Sequence, residues 1–293
     1  MSAVFVFLFG ASAYAQPAQA TSATAQAWTS PSSIRWMVAR SAVDTIDTYV
    51  GSTTLTTNTF DNPRTNEMGT LTAGWSAIPT TIYQSEAAFA TAAANHQIST
   101  PWVVYDTEDW PATPANEQQD PATYMKNFVY VAHQYLPHPL HVILAPANDL
   151  VRSMSCYVSS DPIWKNYLSG CKLPVLAARA HPDVFEIQAQ GYENDTSGGT
   201  GCGCYAWFVR QAAADARAVR GETGLTVLAG LATDPSGNVS TGLNLYTDSA
   251  STRQVVQGYW LNVAKQSTAC PKCTTSGDPQ VAVNYLHRLG YSG

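Results

Sequence analysis

Charge is what this chain of 293 residues has least of: 12% of its residues are Asp, Glu, Lys or Arg, roughly half the ~25% usual in soluble proteins. No run of Lys or Arg is present to track a phosphate backbone, and 15 basic against 21 acidic residues leave a net charge of -6, which sets nucleic acid aside as a partner. Long apolar runs are missing too. The longest, Ala3 to Phe9, falls far short of the ~20 residues of a membrane span. No G-x-G-x-x-G turn follows the first strand candidate, and no G-x-S-x-G elbow occurs, so neither a dinucleotide site nor a serine nucleophile is expected. Histidines number six. Three of them, His133, His138 and His141, straddle a helix end and a strand start in VAHQYLPHPLH, where they read as structural; no metal and no cofactor are expected.

The polarity that is present comes from Ser, Thr, Asn and Gln, against a hydrophobic share of 45% that is ample for a core. The first 20 residues, MSAVFVFLFGASAYAQPAQA, pair an apolar run with small residues of the A-x-A type at Ala13-Tyr14-Ala15 and Ala18-Gln19-Ala20, as a secretory signal does. Residues 21–33 read as a polar leader, and export is the expectation. In an exported chain the six cysteines favour disulfides, whose connectivity sequence does not fix. The pairs expected are Cys156 with Cys171 and Cys270 with Cys273, with Cys202 and Cys204 left open; a four-thiolate zinc site from CGC and CPKC is the alternative.

From residue 34 onward, short runs rich in β-branched and aromatic residues alternate with helical stretches, the pattern of parallel βα units. The strands predicted are 34–39, 80–83, 102–105, 141–145, 184–189, 226–230 and 256–261. Helices are predicted at 86–95, 121–135, 205–220 and 279–289. Seven strands in about 260 residues match an α/β fold of the (β/α)8 TIM-like barrel kind, a single domain over 34–293, with the missing strand near Leu71 to Trp75 or replaced by an insertion in 40–79. An open doubly wound sheet is the competitor.

Several of these strands end in polar and aromatic residues. PWVVYDTEDWP, residues 101–111, begins as strand and ends in acids. Residues i and i+2 share a face of a strand, so Asp106 and Glu108 point the same way. Strand 141–145 runs into Asn148 and Asp149, strand 184–189 into Gln188, Gln190 and Tyr192, and strand 256–261 presents Tyr259, Trp260 and Asn262. In a barrel these ends open on one mouth. Carboxylates, amides and aromatics there, with Trp110 nearby, suit a carbohydrate: rings stack on sugar faces, and amides and acids bind hydroxyls. Two close carboxylates also fit glycoside chemistry, in which a proton donor works beside an ionised neighbour. Asp109 and Glu117 read as plain loop charges. A monomer is expected.

Four segments between about 101 and 265 resemble, in order, the barrel glycosidases that include chitinases and endo-β-N-acetylglucosaminidases. YDTED supplies the D-x-E that ends their fourth strand. Gln190-Gly191-Tyr192 resembles the Q-x-Y-N motif of the sixth, VLAGLAT the seventh, and Gly258-Tyr259-Trp260-Leu261 the eighth. The resemblance implies Glu108 as general acid, Asp106 as the carboxylate that orients an acetamido group, and Tyr192 as the clamp on that group. The two earlier acids of the D-x-x-D-x-D-x-E motif fall on Val104 and Pro101, and the family tryptophan of the last strand aligns with Asn262.

Overall fold

The computed structural model describes residues 33–39, 55, 57–62, 77–193, 204–221, 224–233, 241–263 and 279–291. Eight parallel strands close into a barrel in chain order: β1 Arg35–Ala39, β2 Thr59–Asn62, β3 Ile78–Tyr83, β4 Trp102–Thr107, β5 His141–Pro146, β6 Val184–Ile187, β7 Thr226–Ala232 and β8 Gly258–Asn262. Among the described residues the α-helices of five residues or more that lie between or after them are α1 Glu86–Ala94, α2 Ala115–Gln119, α3 Pro121–His133, α4 Leu173–Arg179, α5 Tyr205–Arg220, α6 Gly242–Thr252 and α7 Pro279–Arg288. β1 pairs with β8 through Trp36↔Tyr259 and Met37↔Trp260, which closes the ring. This is the single-domain (β/α)8 TIM-like barrel the alternation predicts.

Strand parity sorts the core into two parts. Met37, Phe60, Ile82, Val104, Ile143, Val184, Leu228 and Trp260 meet inside the barrel, while their neighbours Trp36, Val103, Tyr105, Val142, Phe185, Val227 and Tyr259 point outward under the helices. Successive strand residues face opposite sides, so each strand feeds both parts. Trp102, at the start of β4, packs at a tilt against Phe60 with ring centroids 4.7 Å apart and stacks on His141 at 4.5 Å. These rings and the apolar layer above them fill the end of the barrel where the strands begin.

The helices have local causes. α1 starts at Ser85, whose hydroxyl accepts from the Ala88 N–H at 3.3 Å. α3 starts at Asp120, which accepts from the Thr123 N–H at 3.3 Å, with Pro121 at the first position, where a missing N–H costs nothing. α5 buries Tyr205, Phe208, Val209, Ala212, Ala213 and Ala216 on one face and ends at Gly221, whose φ of 79° favours a residue without Cβ.

Three expectations are corrected. The eighth strand is Thr59–Asn62, not a segment near Leu71 to Trp75, which lies outside the described residues. β6 ends at Ile187, where its pairing with β7 ends at Ala229, so the strand predicted to 189 is two residues too long. Tyr259 does not reach the mouth. It follows Gly258 and precedes Trp260 on one strand, so Tyr259 and Trp260 cannot share a face. Tyr259 is buried on the outer side, where its hydroxyl donates to the Ser249 carbonyl at 2.8 Å and lies 2.7 Å from the Thr252 hydroxyl.

A disulfide joins Cys156 and Cys171 across the excursion between β5 and α4. Cys204 is also disulfide-bonded; the Cys270 with Cys273 pairing, like the signal and leader, lies outside the described residues. Among the described residues no helix is long and apolar enough to cross a membrane.

Candidate functional site

β4 runs inward-facing residues Trp102, Val104 and Asp106 from the plugged end of the barrel to the open one, and Glu108 follows in the next inward position. Asp106 is 5% exposed and Glu108 is half-buried. The Gln188 side-chain amide, just past the end of β6, donates to Asp106 Oδ1 at 2.8 Å and to the Ala145 carbonyl at 2.9 Å. Both N–H bonds of that amide are therefore committed, and Asp106 is held from the side by a neutral donor.

Glu108 is fixed through its backbone. Its N–H donates to Thr113 Oγ1 at 3.2 Å, and the same buried oxygen accepts the Trp110 indole N–H at 3.1 Å. Thr113, 1% exposed, thereby ties the loop 108–113 into one turn. Trp110 is part of that turn's scaffold.

The polar residues of the neighbouring strands join by a chain of contacts. Asn148 Nδ2 donates to the Gln188 carbonyl at 3.4 Å. Tyr192 packs on Phe208, ring centroids 4.4 Å apart, and hydrogen-bonds Asn148. Burial and the nearby Asp149 raise the Tyr192 phenol above its usual range, and the Asn148 bond offsets part of that. Tyr192 thus connects to Asp106 by way of Asn148 and Gln188. Asp149 accepts from the Asp109 N–H at 3.4 Å; burial raises its carboxyl, against the pull of that N–H and of Arg152. Asp109 in turn accepts from Ser153 at 3.2 Å. Gln190 lies in a short helical turn beyond β6, its amide against the Cα of Gly230, where a Cβ would come within 2.3 Å of it. Gly230 is the residue that leaves room for Gln190 over β7.

No family model matches the chain, and no curated protein matches it. The site therefore rests on its own geometry.

Trp260 faces the barrel interior, 8% exposed, and its indole N–H has no partner among the described residues. Asn262 follows two residues on, half-buried and paired in register with Ala232. Val104, where the resembled motif carries an acid, belongs to the apolar layer beneath Asp106.

Sequence reading missed Glu186. It lies between Phe185 and Ile187 on β6, two residues before Gln188 and therefore on the inward face. It is 0% exposed, and neither carboxyl oxygen has a hydrogen-bond partner among the described residues. Burial, then the charges of Asp106 and Glu108, push its carboxyl well above the usual carboxylate range. The signal was available: an acid inside a four-residue strand of otherwise apolar residues, in phase with a glutamine already assigned to the mouth.

Glu117, read as a loop charge, is 1% exposed and accepts from Ser85 Oγ at 2.9 Å, the Glu86 N–H at 2.7 Å and the Tyr105 hydroxyl at 2.6 Å. It caps α1 from outside the barrel wall. His133 and His141 meet Asp183 at 3.3 and 3.2 Å, at the end opposite the mouth. Among the described residues no group of three His, Cys, Asp or Glu is placed to hold a metal.

Proposed function

We propose that this protein is an exported glycoside hydrolase-like enzyme that acts on a polysaccharide or glycan through carboxylate acid/base chemistry. The observation that carries the reading is the pairing on β4: Asp106, near the mouth and steadied by Gln188, with half-buried Glu108 one inward position further out. In this reading Glu108 gives its proton to the leaving glycosidic oxygen, and ionised Asp106 stabilises the positive charge that develops on the sugar or on a neighbouring acetamido group. Tyr192, Asn148 and Asn262 offer hydrogen bonds to sugar hydroxyls, and Trp260 offers an indole N–H. The chitinase-like order of the D-x-E, Q-G-Y and G-Y-W segments supports the same roles. The Cys156–Cys171 disulfide fits an oxidising compartment and so supports export.

The test is Glu108→Gln assayed on chitin, peptidoglycan and plant polysaccharides. Release of reducing ends falls by at least ~100-fold with the melting temperature unchanged; equal turnover by the variant refutes the reading. A second reading, a barrel that binds a glycan without cleaving it, is favoured by Val104 standing where the resembled motif has an acid. Retention on insoluble polysaccharide without released reducing ends separates the two.

A further inference from the structure

Glu186 occupies a place that the proposed acid/base pair does not explain. The register gives its position. Asp106 on β4 pairs with Ala145 on β5. β5 pairs with β6 through Ile143↔Val184 and Leu144↔Phe185, so the next step sets Ala145 beside Glu186, which itself pairs with Leu228 on β7. Asp106, Ala145, Glu186 and Leu228 therefore form one row around the wall. Parity turns Asp106 and Glu186 to the interior, with only the Ala145 methyl between them and their backbones about 10 Å apart, two strand spacings of ~4.8 Å. Beneath the row lie Val104, Ile143 and Val184, all apolar and fully or almost fully buried. Glu186 is thus an acid at the boundary of an apolar floor and the polar strand ends, with no hydrogen-bond partner for either oxygen among the described residues.

An ionised carboxylate in that position would be a buried charge without a donor, which is far costlier than a buried neutral acid. A neutral acid there has one O–H to give, and the row offers one carboxylate to receive it. We propose that Glu186 is a positioning residue, held in its un-ionised form, that acts as a hydrogen-bond donor toward Asp106 from the β6 side. Asp106 is then gripped between two neutral donors of β6, the Gln188 amide above and the Glu186 hydroxyl in its own row, and stays ionised next to Glu108. The charged groups that face Glu186 are Asp106 and Glu108, both from β4. Its row neighbours on β5 and β7, Ala145 and Leu228, carry none, and Tyr167 is the phenol whose ionisation Glu186 opposes. The role assigned to Asp106 rests on the glycoside reading; the protonation of Glu186 does not.

The experiment therefore has two arms. In the first, the protein labelled with 13C at glutamate carboxyls is followed by NMR from pH 4 to 8, beside Glu186→Gln. One un-ionised carboxyl resonance persists at pH 7 and is missing from the variant. Thermal unfolding follows the same proton. A glutamate with a raised folded pKa loses stability as pH climbs from its unfolded value of about 4.3 toward the folded one. Glu186→Gln lacks that loss, so its melting temperature matches wild type near pH 4 and exceeds it at pH 7. In the second arm, on whichever glycan the wild type cleaves, Glu186→Gln keeps a neutral donor and keeps kcat. Glu186→Leu removes the donor and lowers kcat at least roughly tenfold with KM unchanged.

A wild type whose glutamates are all ionised at pH 7 overturns the proposal, and so does a Glu186→Leu variant with unaltered kcat. If Glu186→Gln does not fold, the wild-type resonance alone decides the protonation. If no glycan is cleaved by the wild type, the glycoside reading fails by itself while the first arm still reports on Glu186.

Discussion

Two glutamates are buried on opposite sides of the barrel wall, and they differ in everything except burial. Glu117, outside β4, accepts from the Ser85 hydroxyl, the α1 N-terminus and the Tyr105 hydroxyl. Glu186, inside β6, has no hydrogen-bond partner among the described residues. A buried carboxylate surrounded by donors is a structural joint, because each donor lowers the cost of its charge. A buried carboxyl with none sits where folding alone gives no reason to keep it, and such groups gather at sites that do chemistry. Burial does not distinguish the two kinds of acid. The partners do.

The contrast can be broken most forcefully at Glu117. Glu117→Leu strands the Tyr105 hydroxyl and the first N–H groups of α1, and lowers stability by about 3 kcal/mol, read by urea unfolding, while leaving ligand binding at the mouth intact. If it costs nothing, the outer acid is no joint. A smaller effect is expected at Gln188, which belongs to the inner side. Gln188→Leu removes one donor of Asp106 and the Gln188 bond to the Ala145 carbonyl, costing about 1 to 2 kcal/mol, and it weakens activity more than its stability loss explains. The smallest is at Asp183, a second paired acid, at the closed end. Burial works to raise its carboxyl, but the Val142 N–H, His141 and His133 outweigh it and hold the group below the usual range. That lowered pKa contributes stability above the unfolded value of about 3.9, and the contribution is lost as pH falls through the folded one. Asp183→Asn therefore costs about 1 kcal/mol at neutral pH and flattens the acid limb of the melting curve. A variant with an unchanged acid limb would remove Asp183 from the paired class.

Much of the barrel is legible in the sequence because its strands are short runs of Val, Ile, Leu and aromatics between helical stretches. Thr59–Asn62 escapes that pattern: TFDN has one large apolar residue, and neighbouring strands, not its own composition, make it a strand. The mouth is legible where alternation holds, as with Asp106 and Glu108 on β4. It fails where the strand stops early. Gln188 and Gln190 read as one face, yet β6 ends at Ile187 and Gln190 enters a helical turn. The inward partner in phase with Gln188 is Glu186, hidden because one acid between Phe185 and Ile187 reads as an oddity of a buried strand. Tyr259 misleads for the opposite reason: a tyrosine in GYWLN suits a sugar, but parity reserves the inner face for Trp260. Glu117 shows the limit of local reading, since its partners Ser85, Glu86 and Tyr105 come from other elements.

The apolar stopper formed by Trp102, Phe60 and the layer above them closes the barrel at the end where its strands begin. A long polymer cannot be threaded through such a chamber; it can only be laid across the rim or dipped in by one end. A molecule that reaches Asp106 inside the barrel therefore enters and leaves on the side of the strand ends.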